Sequence, residues 1–454
     1  MTLKGLFVVV YLDLLVPLAV LLNIYLYFYP VFHFCSFHDA PDGSRAPFRL
    51  LALADPQLEG DTTLLRYASQ HRADDPLLSY LDPHHLARDF HRIRKTIDLW
   101  GNDLYLSHIY HTVRRGTSPT HTVVLGDLLG SQWIGPAEFE RRGSRFWNIF
   151  SNGTRVNTTD ITHGDASGDH WRRKIITLPG NHDIGYAGDV SRERVDRFET
   201  MFGPVNYMLS VTAPSGGPSL SLVVLNSMTL DEPITDPTLR SDSHALIQRA
   251  SEHIAASTKH ATVLLTHLPF HKPGGVCVDP PLFTYFPTGG LREQNHLREA
   301  TSDGLLSEFF GAGKTGVILT GHDHEGCDVR HVHGATGWNV TRWEHAAHGL
   351  EAKELAAAEA AKEGVREITV RSMMGGYGGN AGLLSGWWDE KSDSWKFEYS
   401  TCAIGSQYVW WGIYVVDIIC MAAGIVLFSA HNRDQAKQLE KAAKMQEELE
   451  RKQR

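Results

Sequence analysis

Ile175-Ile176-Thr177-Leu178-Pro179-Gly180-Asn181-His182-Asp183 is an apolar, β-favouring run that stops in a glycine turn and then delivers an amide, an imidazole and a carboxylate. Outward from it, four more segments repeat the pattern. The apolar run 50–53 leads into Ala54-Asp55-Pro56-Gln57, and 122–125 into Gly126-Asp127. The run 262–265 leads into Thr266-His267, and 317–319 into Gly321-His322-Asp323-His324. Buried strands that end in oxygen and imidazole donors line those donors up along one sheet edge. A single Asp-Gly-type turn after a strand is common, but five such ends in order form a candidate dinuclear metal site. Asp, Asn, Gln and His together suit divalent ions such as Mn, Fe or Zn.

Between these ends the chain alternates. Apolar residues Leu86, Phe90, Ile93, Ile97, Trp100 and Leu104 mark one face of a helix over 85–115. Further helices are expected over 138–150, 191–202, 242–258 and 302–310, and further strands over 205–211 and 220–226. The pattern is α/β, with sheets covered by helices on their outer faces. Three segments read as peripheral: a polar surface loop over 152–170, a Pro/Gly/aromatic loop over 269–296 that would wall the site, and an Ala-rich insertion over 344–364. The paired histidines His84-His85 and His331/His333 read as solvated loop residues.

The five segments resemble the signature of the calcineurin-like metallophosphoesterases: D-x-H, G-D, G-N-H-[DE], H and G-H-x-H. The stretches Ala-Asp-Pro-Gln-Leu-Glu-Gly-Asp (54–61), His-Leu-Pro-Phe-His (267–271), His-Asp-His-Glu-Gly-Cys (322–327) and Arg-Ser-Met-Met-Gly-Gly (371–376) are similar to one branch of that family. It is the endoplasmic-reticulum branch that removes ethanolamine phosphate from GPI-anchor glycans. The resemblance implies a two-sheet sandwich flanked by helices, with the metals at one end. It also implies two divalent ions, Mn favoured over Fe or Zn. One would be held by Asp55, Gln57 and His324, the other by Asn181, His267 and His322, with Asp127 bridging. His182 would face the substrate as general acid, with Asp183 holding its ring. Gln57 stands where the family has its first His, and an amide oxygen is a harder donor than imidazole. The glycine-rich stretch 371–380 either lets backbone approach a ligand, with Tyr377 facing an ammonium group, or makes a tight turn. His271, four residues past a ligand, is either a phosphate-binding group or a surface histidine.

The rest of the composition bounds the setting. The 454 residues carry a net charge of −9, which argues against a nucleic-acid partner. Residues 6–29 and 408–428 are apolar enough to span a bilayer, leaving residues 1–5 and a basic tail, 429–454, on the cytosolic side. One catalytic domain, 30–407, would then lie in the lumen of the endoplasmic reticulum. Sequons at Asn152, Asn157 and Asn339 all fall inside it. The terminal Arg-Lys-Gln-Arg resembles a dibasic retrieval signal. Cys35, Cys277, Cys327 and Cys402 allow three pairings, of which nearness to the spans and to the metal motifs favours Cys35–Cys402 and Cys277–Cys327. Each span carries an acid, Asp13 and Asp417, at similar expected depth. The two would share a proton or face a partner's polar group, and so dock the spans or recruit a membrane partner such as a cargo receptor, or they would be polar residues tolerated through snorkelling or protonation. The function expected is removal of ethanolamine phosphate from a GPI mannose, with a lean to the second mannose. The alternatives are a phosphomonoesterase, another phospholipid or glycan phosphodiesterase, and a non-catalytic cargo adaptor.

Overall fold

The computed structural model describes residues 3–60, 83–212, 218–256, 259–277, 296–311, 313–334, 337–343 and 364–453. Most of the expected site wall (278–295) and nearly all of the Ala-rich insertion (344–363) lie outside the described residues. Strands are numbered in chain order. The first sheet runs, in spatial order, β13 (Ser394–Ala403), β12 (Asn380–Asp389), β1 (Phe48–Leu53), β2 (His121–Val124), β4 (Lys174–Thr177) and β3 (Thr154–Arg155). The second runs β10 (Gly337–Arg342), β9 (Cys327–Gly334), β11 (Val365–Thr369), β8 (Thr315–Thr320), β7 (Ala261–Leu265), β6 (Leu220–Val224) and β5 (Tyr207–Val211).

Strands β1, β2 and β4 are parallel, as are β6, β7, β8 and β11. Their carboxyl ends therefore emerge together in each sheet. Side chains alternate across every strand. Leu50 and Ala52 of β1 join Val123, Leu222, Val263, Val317 and Ile368 in a buried cluster fed by both sheets. Leu51 and Leu53 point the other way, into a cluster with Leu106, Ile109, Phe146 and Phe150 of the covering helices. Strands buried on both faces need continuous apolar runs, which is why the runs before the donors lack polar alternation.

The helices Pro83–Thr117, Pro136–Ile149, Arg192–Phe202, Pro237–Ala255 and Glu299–Phe310 match the expected ones, the fourth beginning earlier at Pro237. Two expectations are corrected. The segment 152–170 is more than a loop, because β3 pairs with β4, Asn157 caps the helical turn Thr158–His163, and Val156 and Ala166 are buried. His331 is not a solvated loop residue but lies on β9, 2% exposed.

Two helices, Lys4–Tyr27 and Gln407–Lys452, are long and apolar enough to cross a membrane, and only 6% of each apolar window is buried against protein. They pack antiparallel, with Asn23 donating to both oxygens of Asp417 at 2.9 and 3.1 Å and Lys4 paired with Asp434. Asp417 thus takes its polar partner from the facing helix. Asp13 sits ten residues from Asn23, about 15 Å along the axis. The two acids are therefore not at one depth and do not share a proton. Asp13 lies in a π-helical turn, Tyr11–Leu15, just ahead of Val16 and Pro17, and the missing N–H of Pro17 disrupts the ordinary ladder there. Both favoured disulfides are present, Cys35–Cys402 and Cys277–Cys327.

Candidate metal centre

All seven candidate ligands converge at the carboxyl ends of β1, β2, β4, β7 and β8. Ligand atoms of Asp127, His267 and His322 lie within 4.8 Å of one another. Asn181 Oδ1 is 2.9 Å from His322 Nδ1 and 3.2 Å from His267 Nε2. Gln57 Nε2 is 3.1 Å from both Asp127 Oδ2 and His324 Nε2. Asp55 accepts the His322 N–H at 3.1 and 3.2 Å, and the backbone oxygen of Asp55 accepts the Ser372 hydroxyl.

The backbone is bent to achieve this. Nine described non-glycine residues have positive φ, and four are candidate ligands: Asp55, Gln57, Asp127 and His322. Each such conformation costs about 1–3 kcal/mol and persists only where the surroundings impose it. Two glycines make the crowding possible. A Cβ on Gly180 would collide with the Asp127 carboxylate, and one on Gly126, at φ +86°, with the His267 ring.

His267 shows what the cluster is built for. Its Nδ1 lies 2.7 Å from the carbonyl oxygen of Leu125, an acceptor, so Nδ1 carries the proton. Burial pushes this fully enclosed ring toward its neutral form. The Nε2 lone pair then faces two more acceptors, Asn181 Oδ1 at 3.2 Å and Asp127 Oδ1 at 3.4 Å. Lone pairs directed at lone pairs are repulsive unless a cation lies among them. A backbone carbonyl fixing the far nitrogen is also how metal-binding histidines are oriented. Carboxylate repulsion points the same way. Burial and then the Asp127 charge push Asp55 well above the ordinary range. The donor set thus fits divalent cations.

Gln57 is placed with its amide nitrogen inward, toward Asp127 and His324; a half-turn of the amide presents the oxygen instead. Asp183 is a correction. It was expected to hold the His182 ring, but its buried carboxylate accepts the backbone N–H groups of Leu128, Leu129 and Gly180 at 3.1, 2.9 and 2.9 Å. It therefore locks the Asp127 loop to the Asn181 turn. His182 gives its own N–H to Asp127 Oδ1 at 2.9 Å, while its ring, 39% exposed, stands at the mouth 3.9 Å from Asp127 Oδ2. His271 does not reach the centre but packs edge-on against His296 at 4.9 Å.

The stretch 371–380 does reach it. Ser372 and Met373 bond to His324 and Ala54 through their N–H groups, and the Tyr377 ring lies edge-on to His324 at 4.6 Å. Sequence reasoning missed a second buried cluster, in which Glu367 takes Lys272 at 2.7 Å, His331 at 2.6 Å and the Phe270 N–H at 2.9 Å. Its signal in the sequence is weak, because Glu367 follows Arg366 in a short mixed run, Val365–Thr369.

No family model matches the chain. Protein TED1 of Saccharomyces cerevisiae is 30% identical over 485 residues, covering 87% of this chain and 93% of its own length. The chain belongs to that family, within the calcineurin-like metallophosphoesterases. An uncharacterized protein of Schizosaccharomyces pombe is 29% identical over 63% of this chain and 64% of its own. Metallophosphoesterase 1 of Danio rerio is 27% identical over 47% of this chain and 54% of its own. For this metallophosphoesterase the chemistry within reach of the site is phosphoester hydrolysis with divalent ions.

Proposed function

We propose that the protein is a two-metal phosphodiesterase of the endoplasmic-reticulum membrane that removes ethanolamine phosphate from a mannose of GPI-anchor glycans, with a lean to the second mannose. The observation that carries the hydrolytic part is the neutral His267 lone pair aimed at Asn181 and Asp127, which calls for a cation. Asp55, Gln57 and His324 would hold one ion, Asn181, His267 and His322 the other, and Asp127 would bridge. Mn is favoured, with Fe or Zn as alternatives. Two such ions supply charge to a phosphoryl oxygen and lower the pKa of a water.

The remaining work falls to the chain. His182, exposed at the mouth and anchored by its own N–H, is placed to protonate the leaving alkoxide. Tyr377 offers a ring face near His324 for the ethanolamine ammonium. The two-sheet arrangement is read as the family's sandwich.

The setting is supported by the branch resemblance and by the two apolar helices. Residues 30–407 would be luminal, with residues 1–5 and 429–454 cytosolic. Asn152, Asn157 and Asn339 are all exposed, as glycan acceptors must be. The test compares GPI glycans by mass spectrometry in cells with the protein, without it, and with Asp127→Asn. Retained ethanolamine phosphate in the last two is the expected result. Unchanged glycans without the protein would reject the substrate, and normal glycans with Asp127→Asn would favour the cargo-adaptor reading.

A further inference from the structure

The helix Pro83–Thr117 changes its apolar face part-way along. In its second half Tyr105, Leu106, Ile109, Tyr110 and Val113 are buried in the core of the catalytic domain. In its first half Phe90, Ile93, Ile97, Trp100 and Leu104 recur three and four residues apart, and they are 70, 58, 50, 61 and 39% exposed. At 3.6 residues per turn the two faces are about half a turn apart. The sequence reading took this stripe as an ordinary helix face. The structure leaves it turned away from the domain.

What lies on that side is set by the two apolar helices. Gly101 packs so tightly on Trp411 that a Cβ there would overlap the indole, and Asn102 accepts from Gln407 at 3.3 Å. Seven residues on, the His108 ring contacts Tyr27 at 5.0 Å, and its Nε2 lies 3.3 Å from the Leu26 oxygen. Seven helical residues rise about 10 Å, close to the spacing of two packed helices. One helix therefore crosses the ends of both spans, side by side, and lies across their axes. If the spans stand in a bilayer, this helix runs along its surface.

We propose that residues 83–104 form an interfacial membrane helix whose stripe is seated among the headgroups and upper acyl chains of the leaflet beside the catalytic domain. The proposal rests on the reading of Lys4–Tyr27 and Gln407–Lys452 as membrane spans. Three observations favour lipid over a protein occupant. The stripe continues from helix ends already at membrane level. Aromatic Phe90 and Trp100 suit the interface. Arg92 and Arg94 lie off the stripe, where long cationic side chains reach headgroups.

The opposite side of the helix reaches the loop that follows the candidate ligand Gln57. Lys95 pairs with Glu59 at 3.2 Å, and Arg145 joins Asp103 to the Glu59 carbonyl, two residues past Gln57. Strand β13 also ends, at Ala403, on the same edge as β1, four residues before Gln407. The docked helix thus holds the centre at the level of the bilayer surface, where a lipid-anchored phosphodiester is presented.

The test uses full-length protein in phosphatidylcholine vesicles, with Cys420→Ser as background and single nitroxide labels at Ile93→Cys, Ile97→Cys, His91→Cys and Ile419→Cys. Collision with oxygen and with a water-soluble nickel chelate is measured by electron paramagnetic resonance. Labels at 93 and 97 should meet oxygen more often than nickel, and the label at 91 the reverse. Nickel-dominated collisions at 93 and 97 would overturn the proposal by placing the stripe in water. Shielding from both reagents would overturn it in favour of a second copy of the chain. The label at 419, in mid-span, separates the two levels: nickel access there would remove the membrane reading itself and the proposal with it.

Discussion

Two buried clusters of this molecule contain the same kinds of groups and have opposite needs. Around Glu367, a carboxylate meets Lys272, His331 and a backbone N–H, so acceptors face donors throughout. Around Asp127, a neutral imidazole nitrogen faces two oxygens, three carboxylates lie buried, and four residues hold left-handed backbone. Glu367 and Asp127 are both buried. What separates them is complementarity: one cluster is satisfied by the chain, the other only with cations added. The first would clamp the segment after His267 to β11 and β9, and the second would do chemistry.

The largest effect should come from Asp127→Asn, which removes the charge that would bridge the two proposed cations. Phosphodiester hydrolysis should fall nearly to background, with fold retained by circular dichroism. Rates close to wild type with metals bound would make the two clusters equivalent and break the comparison. His182→Ala should lower turnover by about 10²–10⁴ with metal content unchanged, as for a lost general acid. Loss of metal in that variant would turn His182 into a ligand.

The Glu367 cluster should respond in stability instead. Glu367→Ala leaves Lys272 buried without its partner and should cost about 3–5 kcal/mol of unfolding free energy, as for a broken buried pair. Chelation should not reproduce that loss in the variant's place. Burial alone would raise Glu367, but Lys272 and His331 outweigh it and hold the carboxyl at about 2. Its folded pKa is thus below the unfolded one, near 4.3. The stability it contributes is complete above that unfolded value and is lost as pH falls toward about 2. Acid unfolding followed by fluorescence should show this loss in the wild type and not in Glu367→Gln. The smallest effect is reserved for Gln57→His, which restores an imidazole to the site. Uptake from an equimolar Mn and Zn mixture should shift toward Zn, with little change in turnover.

The sequence was most legible where periodicity and donors coincided. The five strand runs before Asp55, Asp127, Asn181, His267 and His322 were readable because strands buried on both faces cannot carry polar alternation. Strands β9 to β13 were not read, since runs such as Cys327–Gly334 mix His, Arg and Asp with Val and are half-exposed. His331 looked solvated because its partner, Glu367, lies 36 residues away. The role of Asp183 was misread for a similar reason. Its neighbour in sequence is the His182 ring, whereas two of its three hydrogen bonds come from backbone amides on another strand end, Leu128 and Leu129. The apolar stripe of 90–104 was visible, but periodicity shows only that a face is apolar, never what covers it.

The central claim is that this edge holds two divalent ions and that they are needed for hydrolysis. Elemental analysis of purified full-length protein, paired with phosphodiester turnover before and after chelation, tests it most directly. The account predicts about two divalent ions per chain by the two-metal arrangement, activity lost with them and regained on adding Mn, and no such uptake by Asp127→Asn. Full turnover by protein stripped of metal would contradict it.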